Sequence, residues 1–123
     1  MFFYDSYAVL AYIDGHPRYG RYFEENDGIL TKLNLMEIYY RMIEVHGPRA
    51  ASEVISTFSK YQRDFGINDI KSAMRLRLRL KKKGSLNISY VDALGYSIAL
   101  RSKIRFLTGD PAFANLKGIE FVR

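Results

Sequence analysis

Short apolar runs alternate with longer amphipathic segments along the chain, and this alternation is the feature that most restricts its fold. The run Phe2-Phe3-Tyr4 predicts a first strand, and Asp5-Ser6 opens a helix that stops before Gly15. Strands that alternate with helices predict an α/β fold, in which a central parallel β-sheet is flanked by crossover α-helices.

The same reading predicts the remaining elements. Further helices are predicted at 18–26, 33–45, 49–58, 68–83 and 87–103, and further strands at 28–31, 104–107 and 119–122. His46-Gly47-Pro48 ends one helix, as a C-terminal glycine followed by proline does. Residues 61–67 are ambiguous and match a short strand.

The segment 75–83 alternates Arg and Leu before three lysines, which locally matches a strand. Ile70, Ala73 and Met74 extend the apolar pattern at helical spacing towards Leu76, Leu78 and Leu80. A helix over 68–83 is favoured, because its residues are strong helix formers, Asn68 suits an N-cap and Gly84 suits the C-terminal end.

The length of 123 residues suits one domain, 1–123, that can bury a core without disulfides. The absence of cysteine excludes thiolate catalysis and cysteine-based metal sites, and two histidines are too few for a histidine-rich one. No signal peptide or membrane-length apolar run is seen, so we expect a cytoplasmic protein.

The net charge of +6 is unevenly distributed. Residues 1–60 hold six basic and eight acidic side chains, whereas residues 61–123 hold thirteen and five. A stretch without acids, 70–91, contains Lys71, Arg75, Arg77, Arg79, Lys81, Lys82 and Lys83. Such a stretch suits phosphate contacts with RNA, contact with an acidic partner, or simple solvation.

Two acids follow predicted strands, and two interrupt apolar helix patterns. Asp5 follows the first strand, and Asp110 follows the strand at 104–107 after a glycine. Glu37 and Asp92 each stand among apolar residues near the start of a helix. Buried carboxylates without partners are costly, so such a cluster requires a cation, and oxygen ligands favour Mg²⁺ or Mn²⁺ over zinc.

Each acid also has an ordinary interpretation. Asp5 suits a helix N-cap, and Asp110 before proline suits a turn. Glu37 and Asp92 suit the first turn of a helix, where the helix dipole favours a negative charge. Local capping or solvation is favoured for Asp14 and Asp69, and His16 and His46 flank helix ends.

Ten tyrosines and eight phenylalanines could stack on unpaired bases, but core packing is favoured for most of them. Phe2, Phe3, Tyr39 and Phe106 are predicted core residues. Tyr12, Tyr19, Tyr22 and Tyr40 are candidates for a dimer or partner surface.

The acids lie in four ordered blocks, which together resemble the PIN-domain ribonucleases and, within them, the VapC-type toxins of toxin–antitoxin pairs. The blocks are Phe3-Tyr4-Asp5-Ser6 with Leu10-Ala11-Tyr12-Ile13; Leu35-Met36-Glu37-Ile38; Tyr90-Val91-Asp92-Ala93-Leu94 with Ala99; and Phe106-Leu107-Thr108-Gly109-Asp110-Pro111-Ala112-Phe113. The tail Leu116–Phe121 is similar to the closing strand of the family. The sequence departs from the family at Asn34, where a small hydroxyl residue is frequent.

The resemblance implies a PIN-like nuclease domain and a divalent-metal-dependent endoribonuclease that hydrolyses RNA phosphodiester bonds with metal-activated water. It implies that Asp5, Glu37, Asp92 and Asp110 are the catalytic and metal-binding acids, with Ser6 and Thr108 as supporting polar residues. It also implies one or two Mg²⁺ or Mn²⁺ ions, a cognate antitoxin and a homodimer.

Two other functions remain open at this point. One is a non-catalytic RNA-binding module on the same scaffold, which would bind RNA without cleaving it. The other is a response-regulator-like phosphoacceptor domain, which also gathers acids at a sheet edge. That class has a lysine directly after a late strand, and Leu107-Thr108-Gly109-Asp110 offers none.

Overall fold

Four strands form one parallel sheet in a computed structural model of the chain, which describes residues 1–84 and 88–123. The strands are β1 (Phe2–Tyr4), β2 (Gly28–Ile29), β3 (Arg105–Thr108) and β4 (Ile119–Phe121), and their order across the sheet is β2-β1-β3-β4. Every neighbouring pair is parallel. The predicted α/β class with a central parallel sheet is therefore confirmed.

Six α-helices accompany the sheet in the described residues. They are α1 (Ser6–Ile13), α2 (Gly20–Glu24), α3 (Lys32–His46), α4 (Pro48–Phe58), α5 (Ile67–Lys82) and α6 (Tyr90–Arg101), with short 3-10 turns at Ser59–Tyr61 and Pro111–Phe113. Gly47 separates α3 from α4 with φ of 87°, a value that favours glycine, and Pro48 begins α4. None of the helices described is both long and apolar enough to cross a bilayer.

Successive residues of the central strands point to opposite faces of the sheet. Phe3 and Phe106 lie in a core shared with α5 and α6, whereas Tyr4 and Leu107 lie in a core shared with α1, α3 and α4. All four side chains are fully buried. The sheet is therefore covered on both faces, which explains why β1 and the centre of β3 are apolar.

The structure corrects two predictions around the start of α5, and a third falls outside the described residues. Residues 61–67 form no strand, and only an isolated bridge joins Leu30 to Gln62. Asn68 is not the N-cap of α5, because the helix begins at Ile67 and the Asp69 carboxylate accepts the Gly66 N–H at 2.9 Å. The predicted start of the helix at Asn87 lies outside the described residues, and α6 runs from Tyr90.

The inward face of α5 differs in part from the prediction. Ala73 is fully buried, and Leu76 and Leu80 pack against the same core. Ile70 and Leu78 are exposed, Leu78 by 53%. Only one stripe of this helix meets the core, and Leu78 is turned away from it.

The burial of some aromatic side chains also differs from the prediction. Phe3 and Phe106 are buried as predicted, with their rings stacked at 5.6 Å. Tyr19 and Tyr22, which were candidates for a surface, are buried, and the Tyr19 hydroxyl donates to the Val122 carbonyl at 2.7 Å. Tyr39, predicted in the core, is exposed. A tyrosine can be buried whenever its hydroxyl finds an acceptor, which a sequence pattern does not show.

We expect Gly95→Ala to lower the free energy of unfolding by about 1–3 kcal/mol through overpacking. A Cβ at Gly95 would lie 2.5 Å from the Phe3 ring and 3.1 Å from the Phe106 ring, where α6 meets the sheet. Urea denaturation measures the change. The matched control is Gly20→Ala in α2, which has open space at that position and should be neutral or stabilising. Equal effects of the two substitutions would contradict this packing account.

Candidate metal centre

The end of β1 lies beside the end of β3, and this pairing joins two elements of the predicted site. Tyr4 pairs with Leu107, and the Asp5 N–H donates to the Leu107 carbonyl at 3.2 Å. The Thr108 hydroxyl donates to the Asp5 carboxylate at 2.7 Å and accepts the Asp110 N–H at 3.1 Å. Thr108 therefore links the two acids that follow neighbouring strands.

Asp5 stands directly before α1, at the N-cap position, but its side chain makes no capping hydrogen bond. The carboxyl group turns to Thr108 instead and is only 3% exposed. The capping interpretation therefore does not explain this residue. A carboxyl that is so completely removed from water needs another reason to be there.

Glu37 is held by a chain of side chains that sequence reasoning did not foresee. The Ser6 hydroxyl donates to Glu37 Oε1 at 2.7 Å, and Asn34 Nδ2 donates to Ser6 Oγ at 3.0 Å. Asn34 Oδ1 in turn accepts the backbone N–H and the hydroxyl of Thr31, each at 3.0 Å. Asn34 is 1% exposed, so the residue that departs from the family pattern is the centre of this network.

Asp92 and Asp110 each make the local contact that their ordinary interpretation predicts. Asp92 and Ser89 form a capping box at the start of α6, in which Asp92 Oδ2 accepts the Ser89 N–H at 3.2 Å. Asp110 Oδ1 accepts the Ala112 N–H at 3.0 Å in the turn after β3. These contacts hold the carboxyls near the sheet edge and occupy one oxygen of each.

The acids influence one another's ionisation. Burial, followed by the charges of Asp92 and Glu37, raises the pKa of Asp5 to about 8 from its ordinary value of 3.8. Burial is the largest cause that raises the pKa of Glu37, and the charge of Asp92 raises it further. Burial is also the largest cause that raises the pKa of Asp92, and the charge of Asp110 raises it further. The four predicted acids therefore form one electrostatically coupled group.

No basic side chain neutralises this group in the described residues. The ion pairs found there involve Asp27, Glu44, Asp69 and Glu120, and none of the four site acids. No three Asp, Glu or His side chains in the described ranges stand close enough to hold one ion as they are. The donor chemistry suits a hard cation, and ligation would require the carboxyls to draw together.

The basic stretch is not one uniform surface. Arg77 turns inward, since its Nε donates to the Ile88 carbonyl at 2.9 Å and its guanidinium lies 4.8 Å from the centre of the Tyr90 ring. Arg77 therefore contacts Ile88 and Tyr90, the two residues on either side of Ser89, which is the N-cap of α6. Lys71, Arg75, Arg79, Lys81, Lys82 and Lys83 are exposed.

No protein-family model matches the chain, and no curated protein matches its sequence. Solved structures do match its shape. They include a toxin–antitoxin complex from Klebsiella pneumoniae, with 16% identity, a TM-score of 0.74, and coverage of 97% of this chain and 95% of that one.

Two VapBC structures also match over nearly the full chain. VapBC2 from Rickettsia felis, bound to a DNA fragment from its promoter, has 19% identity and a TM-score of 0.74, and DNA-bound VapBC from Salmonella typhimurium has 19% and 0.78. In both cases 98% of this chain and 96% of the other are covered. The fold is PIN-like. The resemblance suggested by the four blocks is thus confirmed for the fold, and this PIN-like sheet carries the acids at the edge expected for them.

We expect the metal-free protein to lose stability as the pH rises from about 5 to 8, because folding raises the pKa of Asp5 and so disfavours its charged form. Asp5→Asn removes this effect and should make the protein more stable than the parent at pH 8 by more than about 1 kcal/mol. Urea denaturation in EDTA at several pH values measures both. A parent protein that gains stability over the variant with rising pH would contradict the assignment.

We expect Asn34→Ala to lower the free energy of unfolding by about 1–3 kcal/mol, because the buried groups of Thr31 and Ser6 lose their hydrogen bonds to Asn34. The matched control is Asn68→Ala at an exposed position of α5, which should change stability by less than about 0.5 kcal/mol. Thermal or urea denaturation measures both variants. Comparable losses would show that the Asn34 network does not contribute to the free energy of unfolding.

Proposed function

We propose that this chain is a divalent-metal-dependent endoribonuclease and the toxin of a toxin–antitoxin pair. The observation that carries the proposal is the group of coupled carboxyls at the carboxyl edge of the sheet, of which Asp5 is buried and the others are half-buried, with no basic side chain paired to it among the described residues. Carboxylates arranged in this way serve a protein that binds a cation and brings a phosphate to it.

Asp5, Glu37, Asp92 and Asp110 would hold Mg²⁺ or Mn²⁺. When bound, the ion would lower the pKa of a water molecule and neutralise charge on the phosphate. Thr108 positions Asp5 and Asp110, and Ser6 positions Glu37 through the Asn34 network. In the reaction, the water oxygen bonds to phosphorus, one phosphoester bond breaks, and the leaving ribose oxygen takes up a proton.

RNA and an antitoxin are the proposed partners. The exposed cations of α5 would supply salt-dependent affinity for RNA. The matched structures are described as toxin–antitoxin or VapBC complexes, which supports an antitoxin partner for this chain. Met36, Tyr39, Tyr40 and Ile43 form an exposed apolar strip on α3, which suits a protein contact such as an antitoxin or a second copy in a homodimer.

A non-catalytic RNA-binding module on the same scaffold is the second candidate. It is favoured by one observation, namely that the acids of the described residues do not form a ready-made ligand set. Asp92 and Asp110 also serve as local caps, which would keep them in place without any catalytic role.

We expect the purified protein to cleave single-stranded RNA in the presence of Mn²⁺ or Mg²⁺ and to stop in EDTA. Asp5→Asn and Glu37→Gln should lower the cleavage rate at least about a hundredfold, because each removes a charged ligand. Gel analysis of end-labelled RNA measures the rate, and circular dichroism checks the fold of each variant.

Two exposed acids provide matched controls. Asp64→Asn and Glu53→Gln make the same chemical changes away from the site and should cleave at the parental rate. Binding of RNA without metal-dependent cleavage would favour the non-catalytic module. Cleavage that survives Asp5→Asn in a folded protein would overturn the proposed site.

A further inference from the structure

A groove of about 270 Å³ lies between α5 and α6, apart from the acid group. Ser72, Arg75 and Arg79 are three and four residues apart along α5, so they share one face of that helix. Ser97 and Arg101 face them from α6. The groove therefore gathers arginines and hydroxyls from two helices that pack against each other.

The floor of the groove is apolar, and one hydroxyl is set into it. Leu76 and Leu100 line the floor, and Ser97 is only 4% exposed. No hydrogen bond joins the Ser97 hydroxyl to another described residue, and every fully enclosed polar side-chain atom described has a partner. The Ser97 oxygen therefore opens onto the groove with its donor free for a ligand.

Positive charge in the groove exceeds negative charge. Arg101 pairs with Asp69 at 2.9 Å, while Arg75 and Arg79 form no ion pair with a described residue. Two guanidinium groups thus remain without an anion beside a buried hydroxyl. This combination matches a phosphate group, whose oxygens accept from the planar forks of arginine and from a hydroxyl at the same time.

We propose that this groove binds a phosphate of the RNA strand, a proposal that rests on the proposed ribonuclease function. Ser97 lies five residues after Asp92 on α6, which is about 7.5 Å along the helix axis. The two positions are also about 140° apart around the helix, so a strand that curves around α6 can contact the acid group with one phosphate and the groove with another. Arg75 and Arg79 hold the phosphate, and Ser97 fixes its position.

The test measures RNA binding without cleavage, so that it does not depend on the reaction. Fluorescence anisotropy follows a labelled single-stranded RNA with the protein in EDTA at several salt concentrations. Arg75→Gln combined with Arg79→Gln should weaken binding by about tenfold or more. It should also lower the slope of affinity against salt by roughly 0.7 for each phosphate that the protein no longer neutralises.

Two further variants separate the groove from general charge. Arg49→Gln with Lys60→Gln removes the same charge from α4 and the turn after it, and should weaken binding much less. Ser97→Ala keeps the charge and should weaken binding about threefold or more, since it removes one hydrogen bond. Equal losses of affinity in the two double variants, or an unchanged affinity in Ser97→Ala, would overturn the proposal.

Competitors identify the ligand chemistry. Inorganic phosphate should displace RNA from the parent protein at lower concentration than from the Arg75→Gln/Arg79→Gln variant. If the double variant binds RNA like the parent but loses affinity for a polyglutamate peptide, the groove is a protein-docking site and the proposal is wrong. If the groove binds RNA as expected while Mn²⁺-dependent cleavage is absent, the ribonuclease function fails and the phosphate site stands.

Discussion

The pairing of β1 with β3 is the interaction on which both the core and the candidate site depend. In the observed register, Tyr4 lies opposite Leu107, which sets Asp5 beside Thr108. A shift of one residue would turn Phe3 and Tyr4 to the wrong faces of the sheet and move Asp5 away from Thr108. The packing of large aromatic side chains therefore also fixes the position of a buried carboxyl.

The candidate site combines rigid supports with unfavourable charge. Hydroxyl, amide and backbone groups hold each acid in place, while burial and mutual repulsion raise the pKa values of Asp5, Glu37 and Asp92. A chain selected only for stability would replace Asp5 with a neutral residue. Unfavourable charge of this kind is often found at functional sites, and here it lies at the edge of the sheet beside the two apolar cores.

The predictable features were those that follow from local pattern. Strand ends, the break at Gly47-Pro48 and the acids at the sheet edge could be found in this way. The family resemblance then grouped the four acids into one predicted site. The link from Thr31 through Asn34 and Ser6 to Glu37 could not, because residues 28 positions apart meet only in the folded chain. Arg77 looks identical to Arg75 and Arg79 in the sequence, and only the packing of α5 against α6 turns it inward. The burial of Tyr19 likewise depends on a distant carbonyl acceptor.

The contact between Asp5 and Thr108 spans 103 positions of the chain. Loops of this length close late, because long-range pairing has to offset a large loss of chain entropy. A ribosome therefore has to synthesise the chain as far as β3 before the two halves of the acid group can meet. Chains that stop before β3 would carry Asp5 and Glu37 but not the assembled centre. The order of the strands thus delays the assembly of this edge of the sheet until β3 has been synthesised.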